Sequence, residues 1–290
     1  MDISIIVVTY NSARHIKACL QSVMEQSGVA LEVVVVDNAS EDNTLKELAG
    51  FNIHVTANRE NVGFGRGNNA GFAASHGRYI YLLNPDACLV GTDALARLCR
   101  KMDANPRWGM AGTKMLSEEG KIENLPAPEY PGDRFVHRDF SQLPGQIAWI
   151  IGASMIIRRE LYERLNGFDP GFFLYSEETD FCLRMREAGF EIGYIPEVAV
   201  KHIGGGSEDM GDPYEASARK LKGLLQFRQK HYPPEDCVFL AKRDLQRARL
   251  RMFWNGFLAR LQPRRSGTWR KYRQYQGIWE VSRQYLSSIK

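Results

Sequence analysis

The sequence has no apolar run of the about 18 residues that a membrane-spanning helix needs. Its longest apolar run covers residues 147–157 and is interrupted by Gly152 and Ser154. No basic segment precedes the first apolar stretch, so we expect no signal peptide. There are five cysteines in 290 residues, with no CxxC pair and no zinc-type spacing. These absences argue against a membrane-spanning, disulfide-rich or zinc-thiolate protein and predict a reduced cytosolic chain.

The composition is that of a globular protein, with 44% hydrophobic and 25% charged residues. Residues 231–290 carry 13 Lys and Arg against 4 Asp and Glu, a net charge of +9, which leaves −5 on the rest. This C-terminal extension is also rich in aromatic residues, among them Phe253, Trp254, Phe257, Trp269, Tyr272, Tyr275, Trp279 and Tyr285. The pattern favours an anionic membrane surface, with a solvated helical extension as the alternative. Nucleic-acid binding is disfavoured because no recognised motif accompanies the charge.

Short β-branched apolar runs alternate with helical patterns in the first third of the chain. The predicted strands cover residues 3–8, 31–36, 53–57 and 79–83. The predicted helices between them cover residues 16–23, a segment capped by Ser40 that includes Leu45 and Leu48, and residues 69–75. This alternation predicts an α/β domain with a mixed, mainly parallel central sheet flanked by helices. From Ala216 onward the pattern is helical, with a break at Pro233.

Polar residues follow three of the predicted strands, at Thr9-Tyr10-Asn11, Asp37-Asn38 and Asn84-Pro85-Asp86. Ligands of such sheets bind beyond the carboxyl ends of the strands, so the three segments should share one rim. Asp37 could accept bonds from a ribose hydroxyl or a base, or it could cap the next helix. Asp86 could hold Mg²⁺ or Mn²⁺ together with a substrate diphosphate, or it could be a turn residue.

Residues 58–69 combine glycines with amide side chains. Gly63, Gly65 and Gly67 allow the backbone to approach a ligand closely, although a glycine-rich surface loop would look the same. Arg59 could pair with a phosphate or face a base. Residues 65–70 formally match a dinucleotide fingerprint, but that fingerprint belongs on the first strand-to-helix turn, which here has no glycine.

Three acids, Glu177, Glu178 and Asp180, begin a predicted helix over residues 177–188. The helix macrodipole favours negative charge there, which is a purely structural explanation. Neighbouring carboxylates also raise one another's pKa, as a general base needs. His202 ends a strand-like stretch before the glycines at 204–206, which could close over a phosphate, although a lone histidine is more often structural.

In their order along the chain, these segments resemble the family 2 inverting glycosyltransferases of the GT-A fold. The similarity is greatest to the rhamnosyltransferase-like branch, which builds bacterial surface polysaccharides, and it extends from residue 3 to about residue 205. The matching segments are Val7-Val8-Thr9-Tyr10-Asn11, Val35-Val36-Asp37-Asn38-Ala39-Ser40, Asn61 to Asn69 with its glycines, Leu83-Asn84-Pro85-Asp86, Gly167-Phe168-Asp169 and Glu177 to Arg184.

The resemblance implies a role for each matching position. The donor nucleotide would be bound by Thr9, Tyr10, Asn11, Asp37, Arg59, Asn61, Gly63, Asn68 and Asn84. Asp86 and His202 would hold the divalent metal, Mg²⁺ or Mn²⁺. Glu178 would be the catalytic base, with Glu177 and Asp180 placing the acceptor and the helix. Asn84 replaces the first acid of the family's DxD-type motif, and a glutamate stands where aspartate is commoner, so the choice between Glu177 and Glu178 stays open.

The implied reaction transfers one sugar, rhamnose or another hexose, from a dTDP- or UDP-sugar. The acceptor would be a hydroxyl of a glycan or of a polyprenyl-diphosphate-linked glycan, at the cytoplasmic face of the plasma membrane. We expect a nucleotide-sugar half at 1–112, an acceptor-binding and catalytic half at 113–230, and a basic helical extension at 231–290 that contacts the anionic membrane. Two other classes explain less: an NAD(P)H oxidoreductase explains only residues 65–70, and a non-catalytic sugar- or lipid-binding protein leaves the three acids without a role.

Overall fold

The computed structural model describes residues 1–202, 212–261 and 266–289. The glycines at 204–206, predicted to close over a phosphate, lie outside the described residues. The chain forms two compact units. Unit 1 comprises Met1–Tyr130, Gln142–Phe173 and the segment that begins at Glu177, and unit 2 comprises Pro131–Ser141, Leu174–Ser176 and the C-terminal segment.

Unit 1 contains a mixed sheet with helices beside it. Its strands are β1 (Ile3–Thr9), β2 (Leu31–Asp37), β3 (His54–Ala57), β4 (Tyr79–Leu83), β5 (Ala87–Leu89), β6 (Trp108–Leu116), β7 (Ile122–Glu123), β8 (Ser154–Arg158) and β9 (Glu191–His202). Its helices are α1 (Ile16–Met24), α2 (Thr44–Glu47), α3 (Phe64–Ala73), α4 (Ala94–Ala104), α5 (Arg159–Arg164) and α6 (Glu177–Glu187).

The strands lie in the order β3-β2-β1-β4-β8-β6-β9-β5, with β7 paired to β6. The first four strands are parallel, and β6 is parallel to β9. β8 is antiparallel to both of its neighbours, and β5 is antiparallel to β9. The mixed α/β class is therefore confirmed, but "mainly parallel" describes only the N-terminal part of the sheet. β8 is buried on both faces like the parallel strands, so its apolar run did not indicate that it is antiparallel to its neighbours.

The apolar runs are continuous because both faces of the sheet are covered. On one face Ile3, Ile5 and Val7 of β1 belong to a core that also contains the buried residues of α1 and most of those of α4. On the other face Ile6 belongs to a second core, which includes Phe181 of α6. The alternating side chains of one strand thus supply two separate cores.

Two local predictions for the helices are wrong. α2 is a single turn at Thr44–Glu47, and Ser40 does not cap it, because the Ser40 hydroxyl donates to Asp37 instead. α3 begins at Phe64, five residues earlier than predicted. Gly65 and Gly67 lie within this helix rather than in a loop or a strand-to-helix turn, so the formal dinucleotide match has no structural counterpart.

The glycines of α3 bring this helix close to the sheet. A Cβ at Gly67 would lie 2.7 Å from Cγ1 of Val8, and a Cβ at Gly71 would lie 2.5 Å from Cγ2 of Ile6. Both distances are too short for a real side chain, so larger residues would push the helix off β1. The glycines therefore set the height of α3 above the sheet.

Unit 2 is mainly helical, with α7 (Pro213–His231), α8 (Pro234–Leu261) and α9 (Ser266–Ser288). Leu221 and Leu225 of α7, Ala241 of α8 and Val281 of α9 share a buried cluster. Among the described residues, the helices are all too short or too polar to cross a bilayer. The predicted boundary at 112 falls within β6, and the boundary at 231 falls at the end of α7; the functional division into donor and acceptor halves stays a prediction.

Candidate active site

Thr9 and Asp37 meet at the carboxyl ends of β1 and β2, where they are paired in register. The Thr9 hydroxyl donates to Oδ1 of Asp37 at 2.9 Å. Ser40 donates its hydroxyl to the same oxygen at 2.6 Å and its backbone N–H to Oδ2 at 3.0 Å. Both Thr9 and Asp37 are buried. This bonding fixes the turn after β2 and holds the rim in shape.

Three predicted donor-binding side chains are exposed beyond this rim, namely Tyr10, Asn11 and Arg59. Asn11 has a φ of 51°, in the left-handed region that asparagine tolerates. Its side-chain oxygen accepts the backbone N–H of Glu41 at 2.8 Å, which ties the two turns together. An aromatic ring, an amide and a guanidinium are thus available to a base, a ribose and a phosphate.

Asn38 is a residue that the sequence analysis did not select as a site residue. Its side chain is buried, accepts a bond from Nδ2 of Asn58 at 2.8 Å, and donates to the carbonyl of Gly63 at 3.1 Å and to Oδ1 of Asn61 at 3.3 Å. The same oxygen of Asn61 accepts the N–H of Gly63 at 3.0 Å. Asn38 therefore joins the ends of β2 and β3 to the start of α3. Its position directly after a strand-terminal aspartate placed it at the rim, but nothing in the sequence indicated the segments that it joins.

Gly63 and Asn68 shape the start of α3. Gly63 has a φ of 87°, and a Cβ there would overlap the carbonyl oxygen of Phe173. That carbonyl accepts the N–H of Phe64 at 3.1 Å. Asn68 is buried and donates Nδ2 to the carbonyl of Phe64 at 2.9 Å. In this arrangement Gly63 and Asn68 hold the backbone at the start of α3.

Asp86 and His202 face one another where β5 begins and β9 ends, because Ala87 pairs with His202 in register. Oδ1 of Asp86 lies 3.3 Å from Nε2 of His202. The side-chain amide of Asn84 lies 3.5 Å from the same ring nitrogen. Nδ1 of His202 is buried and has no hydrogen-bond partner among the described residues. Nε2 faces Asp86, so it is the ring nitrogen that could share a cation with this carboxylate.

The donor set of this pair fits a divalent cation. Among the described residues, no group of three or more His, Cys, Asp or Glu side chains could hold a metal ion. Mg²⁺ is commonly held by one or two protein carboxylates together with substrate phosphates and water. One carboxylate, one imidazole and a diphosphate would therefore suffice for Mg²⁺ or Mn²⁺.

Glu178 and Asn84 are linked by Gly152 and Ala153, the two residues that precede β8. The N–H of Asn84 donates to the carbonyl of Ala153 at 3.0 Å. A Cβ at the adjacent Gly152 would lie 3.7 Å from Cβ of Glu178 and 3.1 Å from the ring of Phe64. Because Gly152 has no side chain, the first turn of α6 can lie close to the end of β4. The sequence analysis noted this glycine only as an interruption of an apolar run.

The two adjacent glutamates have different environments. Glu177 is 3% exposed, and its Oε2 has no hydrogen-bond partner among the described residues. Burial, with a further contribution from the charge of Glu178, raises the pKa of Glu177 well above its usual value. Glu178 is only partly buried. A buried carboxylate is out of reach of an acceptor hydroxyl, so the position of Glu178 is better suited to a base than that of Glu177.

Asp180 anchors α6 from inside the protein. It is fully buried and accepts a bond from Nε of Arg184 at 2.8 Å. The other two nitrogens of that guanidinium donate to the carbonyls of Leu165 and Gly167, each at 2.8 Å. Asp180 therefore acts on the position of the helix, since its carboxylate is not accessible to an acceptor.

Residues 4–166 match the family Glycosyl transferase family 2, which is more than half of the chain. The chain therefore belongs to glycosyltransferase family 2 and is a glycosyltransferase. This agrees with the resemblance found in the sequence and excludes the oxidoreductase and the non-catalytic binding protein.

Two relatives and one solved structure are similar to this chain. It is 29% identical over 212 residues to the "low-salt glycan biosynthesis hexosyltransferase Agl10" of Haloferax volcanii, covering 69% of this chain and 67% of that protein. It is 23% identical over 230 residues to an "N-acetylglucosaminyl-diphospho-decaprenol L-rhamnosyltransferase" of Mycobacterium tuberculosis, covering 68% and 75%. A mannosyltransferase of Pyrobaculum calidifontis, solved with GDP-Man and Mn²⁺, has a TM-score of 0.59 at 20% identity over 99% of this chain and 87% of that one. The expected GT-A fold is confirmed.

Proposed function

We propose that this glycosyltransferase moves one hexosyl residue, rhamnose or another hexose, from a nucleoside-diphosphate sugar to a hydroxyl group with inversion of configuration. The observation that carries the proposal is the pair of Asp86 and His202, 3.3 Å apart beside the end of β4. Asn84, which follows β4, donates its backbone N–H to the carbonyl of Ala153. Gly152, the residue before Ala153, lies against Glu178. A cation-binding pair and a carboxylate base are what an inverting transfer needs.

The donor would be a dTDP- or UDP-sugar bound at the rim of β1, β2 and β3. Tyr10, Asn11 and Arg59 are exposed there and would contact the nucleotide directly. Thr9, Asp37, Asn61, Gly63 and Asn68 would hold the surrounding turns, with Asn84 at the diphosphate. Asp37 could still accept a further bond from the nucleoside, because each carboxylate oxygen has two lone pairs.

Asp86 and His202 would hold Mg²⁺ or Mn²⁺ together with the donor diphosphate. The mannosyltransferase of Pyrobaculum calidifontis, which was solved with Mn²⁺, supports a divalent metal for this fold. When bound, such a cation neutralises the charge that develops on a departing diphosphate. The carboxylate of Asp86 and the buried ring of His202 supply the protein side of that site.

Glu178 would accept the proton of the acceptor hydroxyl. As the proton moves to the carboxylate, the acceptor oxygen forms a bond to the anomeric carbon, and the bond from that carbon to the diphosphate oxygen breaks with its electron pair. Attack opposite the leaving group inverts the configuration. The buried contact between Asp180 and Arg184 keeps α6, and with it Glu178, in place for this step.

The acceptor would be a glycan or a polyprenyl-diphosphate-linked glycan used to make a bacterial surface polysaccharide. The relative from Mycobacterium tuberculosis is named for a decaprenol-linked acceptor, which supports this class. Because such acceptors are anchored in the bilayer, the enzyme would work in the cytoplasm at the inner face of the plasma membrane.

Calorimetry of nucleotide binding tests the donor site. UDP, dTDP and GDP are titrated into the wild type, Asp86→Ala and the exposed-carboxylate control Asp93→Ala, each with and without Mn²⁺ or Mg²⁺. We expect metal-dependent binding of UDP or dTDP that Asp86→Ala weakens by about 30-fold or more, the equivalent of about 2 kcal/mol. The control should bind as the wild type does. Binding by Asp86→Ala that equals the wild type in the presence of metal, or no binding of any nucleotide, would contradict the proposal.

A further inference from the structure

The last three turns of α8 expose large apolar side chains to solvent. Six of them form a group that we name the α8 stripe: Leu250, Phe253, Trp254, Phe257, Leu258 and Leu261. Their exposed fractions range from 41% to 69%. Their spacing of three and four residues places all six on one face of the helix. A continuous exposed apolar face of this kind marks an interaction surface.

The opposite face of α8 is used for packing within unit 2. Ala248 and Ala259 are buried there, and a Cβ at Gly256 would lie 3.5 Å from the ring of Tyr272 on α9. A helix of a globular protein normally buries its large apolar side chains and exposes its small or polar ones. The last three turns of α8 do the reverse, so the intramolecular packing leaves the α8 stripe uncovered.

Arginines surround the stripe on the same part of the helix. Arg247, Arg249, Arg251 and Arg260 are all exposed, and residues 245–261 contain no aspartate or glutamate. Within the described part of the chain, these four guanidinium groups have no ion-pair partner. At 100° per residue, Arg249 and Arg260 lie on one flank of the stripe and Arg251 lies on the other.

We propose that the α8 stripe lies in the interfacial layer of an anionic lipid bilayer, with the helix axis parallel to the membrane. The aromatic and leucine side chains would enter the region below the headgroups, and the flanking arginines would pair with lipid phosphates. A second copy of the chain is the poorer occupant, because two stripes placed face to face would bring their arginine rows together. The positive charge of these arginines therefore favours an anionic membrane over a second copy of the chain.

The α8 stripe is a smaller membrane-binding surface than the whole C-terminal extension that the composition suggested. Of the aromatic residues noted in the C-terminal extension, Tyr272, Tyr275, Trp279 and Tyr285 are half-buried within unit 2. They take part in helix packing, whereas the membrane contact belongs to the end of α8. The inference does not depend on the proposed transfer reaction, although a lipid-linked acceptor would give the contact a purpose.

Co-sedimentation with vesicles tests the proposal on the full chain. Vesicles of equal parts phosphatidylglycerol and phosphatidylcholine are compared with pure phosphatidylcholine. The apolar variant carries Phe253→Gln, Trp254→Gln and Phe257→Gln, and its control is Leu125→Gln, an equally exposed leucine of unit 1. The charge variant carries Arg249→Gln, Arg251→Gln and Arg260→Gln, with Arg100→Gln as its control. Circular dichroism verifies that each variant retains its helices.

We expect the wild type and both controls to sediment with the anionic vesicles and the apolar variant to remain in solution. Each arginine should contribute about fivefold, so the charge variant should bind about 100-fold more weakly. Wild-type sedimentation of the apolar variant would overturn the proposal, as would a wild type that does not bind. A wild-type dimer that the apolar variant converts to a monomer, with no vesicle binding, would assign the stripe to a second copy. Nucleotide binding is measured for the same variants without lipid. A variant that binds nucleotide normally but not vesicles has lost the membrane contact and kept the donor site.

Discussion

Glu178→Gln is expected to lower the turnover number by about 10²- to 10⁴-fold, the range that a positioned general base contributes. The amide has nearly the size of the carboxylate but cannot accept the proton of the acceptor hydroxyl. Affinity for the donor nucleotide should remain nearly unchanged, since the base acts on the acceptor. The measurement is nucleoside diphosphate release at saturating donor, with nucleotide affinity determined by calorimetry.

Glu177→Gln is the matched control for this variant, because the two glutamates are adjacent on α6 but differ in burial. Glu177 is buried and out of reach of an acceptor hydroxyl, so its replacement by an amide of nearly the same size should leave most of the turnover. Wild-type turnover in Glu178→Gln together with a large loss in Glu177→Gln would assign the base to Glu177.

Asp180→Asn is expected to lower the free energy of unfolding by about 3–5 kcal/mol, the usual cost of breaking a buried ion pair. Asp180 is fully buried and lies 2.8 Å from Nε of Arg184. The amide oxygen of asparagine could still accept a bond from the guanidinium, but the buried positive charge would lose its only carboxylate partner among the described residues. Urea unfolding of the full chain, followed by circular dichroism, measures the change in the free energy of unfolding.

The chain offers a matched pair on its surface. Asp93 and Arg97 have the same spacing of four residues and the same 2.8 Å distance, but each side chain is 47% exposed. Asp93→Asn should therefore cost less than about 1 kcal/mol, because solvent screens exposed pairs. Equal losses in Asp180→Asn and Asp93→Asn would contradict the anchoring role that we assign to Asp180.

The positions of the early strands could be predicted because β1 and β2 are apolar on both faces. The polar residues after these two strands could then be placed at one edge of the sheet, where the carboxyl ends of parallel strands meet. The direction of β8 could not be predicted, because its pairing with β4 depends on where the preceding long segment returns to the sheet. The start of α3 was missed because glycine has a low helix propensity, and close packing on β1 outweighs that preference.

Within the site, residue types at strand ends pointed to Asp86 and His202, and the structure brings this pair together. The role of Asn38 was not predictable, because it joins segments that meet only in the folded chain. The difference in burial between Glu177 and Glu178 was equally hidden, since adjacent helical residues point in different directions and only the folded chain shows which one is covered.

The most direct test of the proposed transfer is the anomeric configuration of the product. The donor carries the nucleotide that calorimetry selects, the acceptor is a polyprenyl-diphosphate-linked N-acetylglucosamine, and proton NMR identifies the new glycosidic bond. The proposal predicts a product whose configuration is opposite to that of the donor, formed by Glu178→Gln about 10²- to 10⁴-fold more slowly than by the wild type. A product of retained configuration, or equal formation by Glu178→Gln, would contradict it.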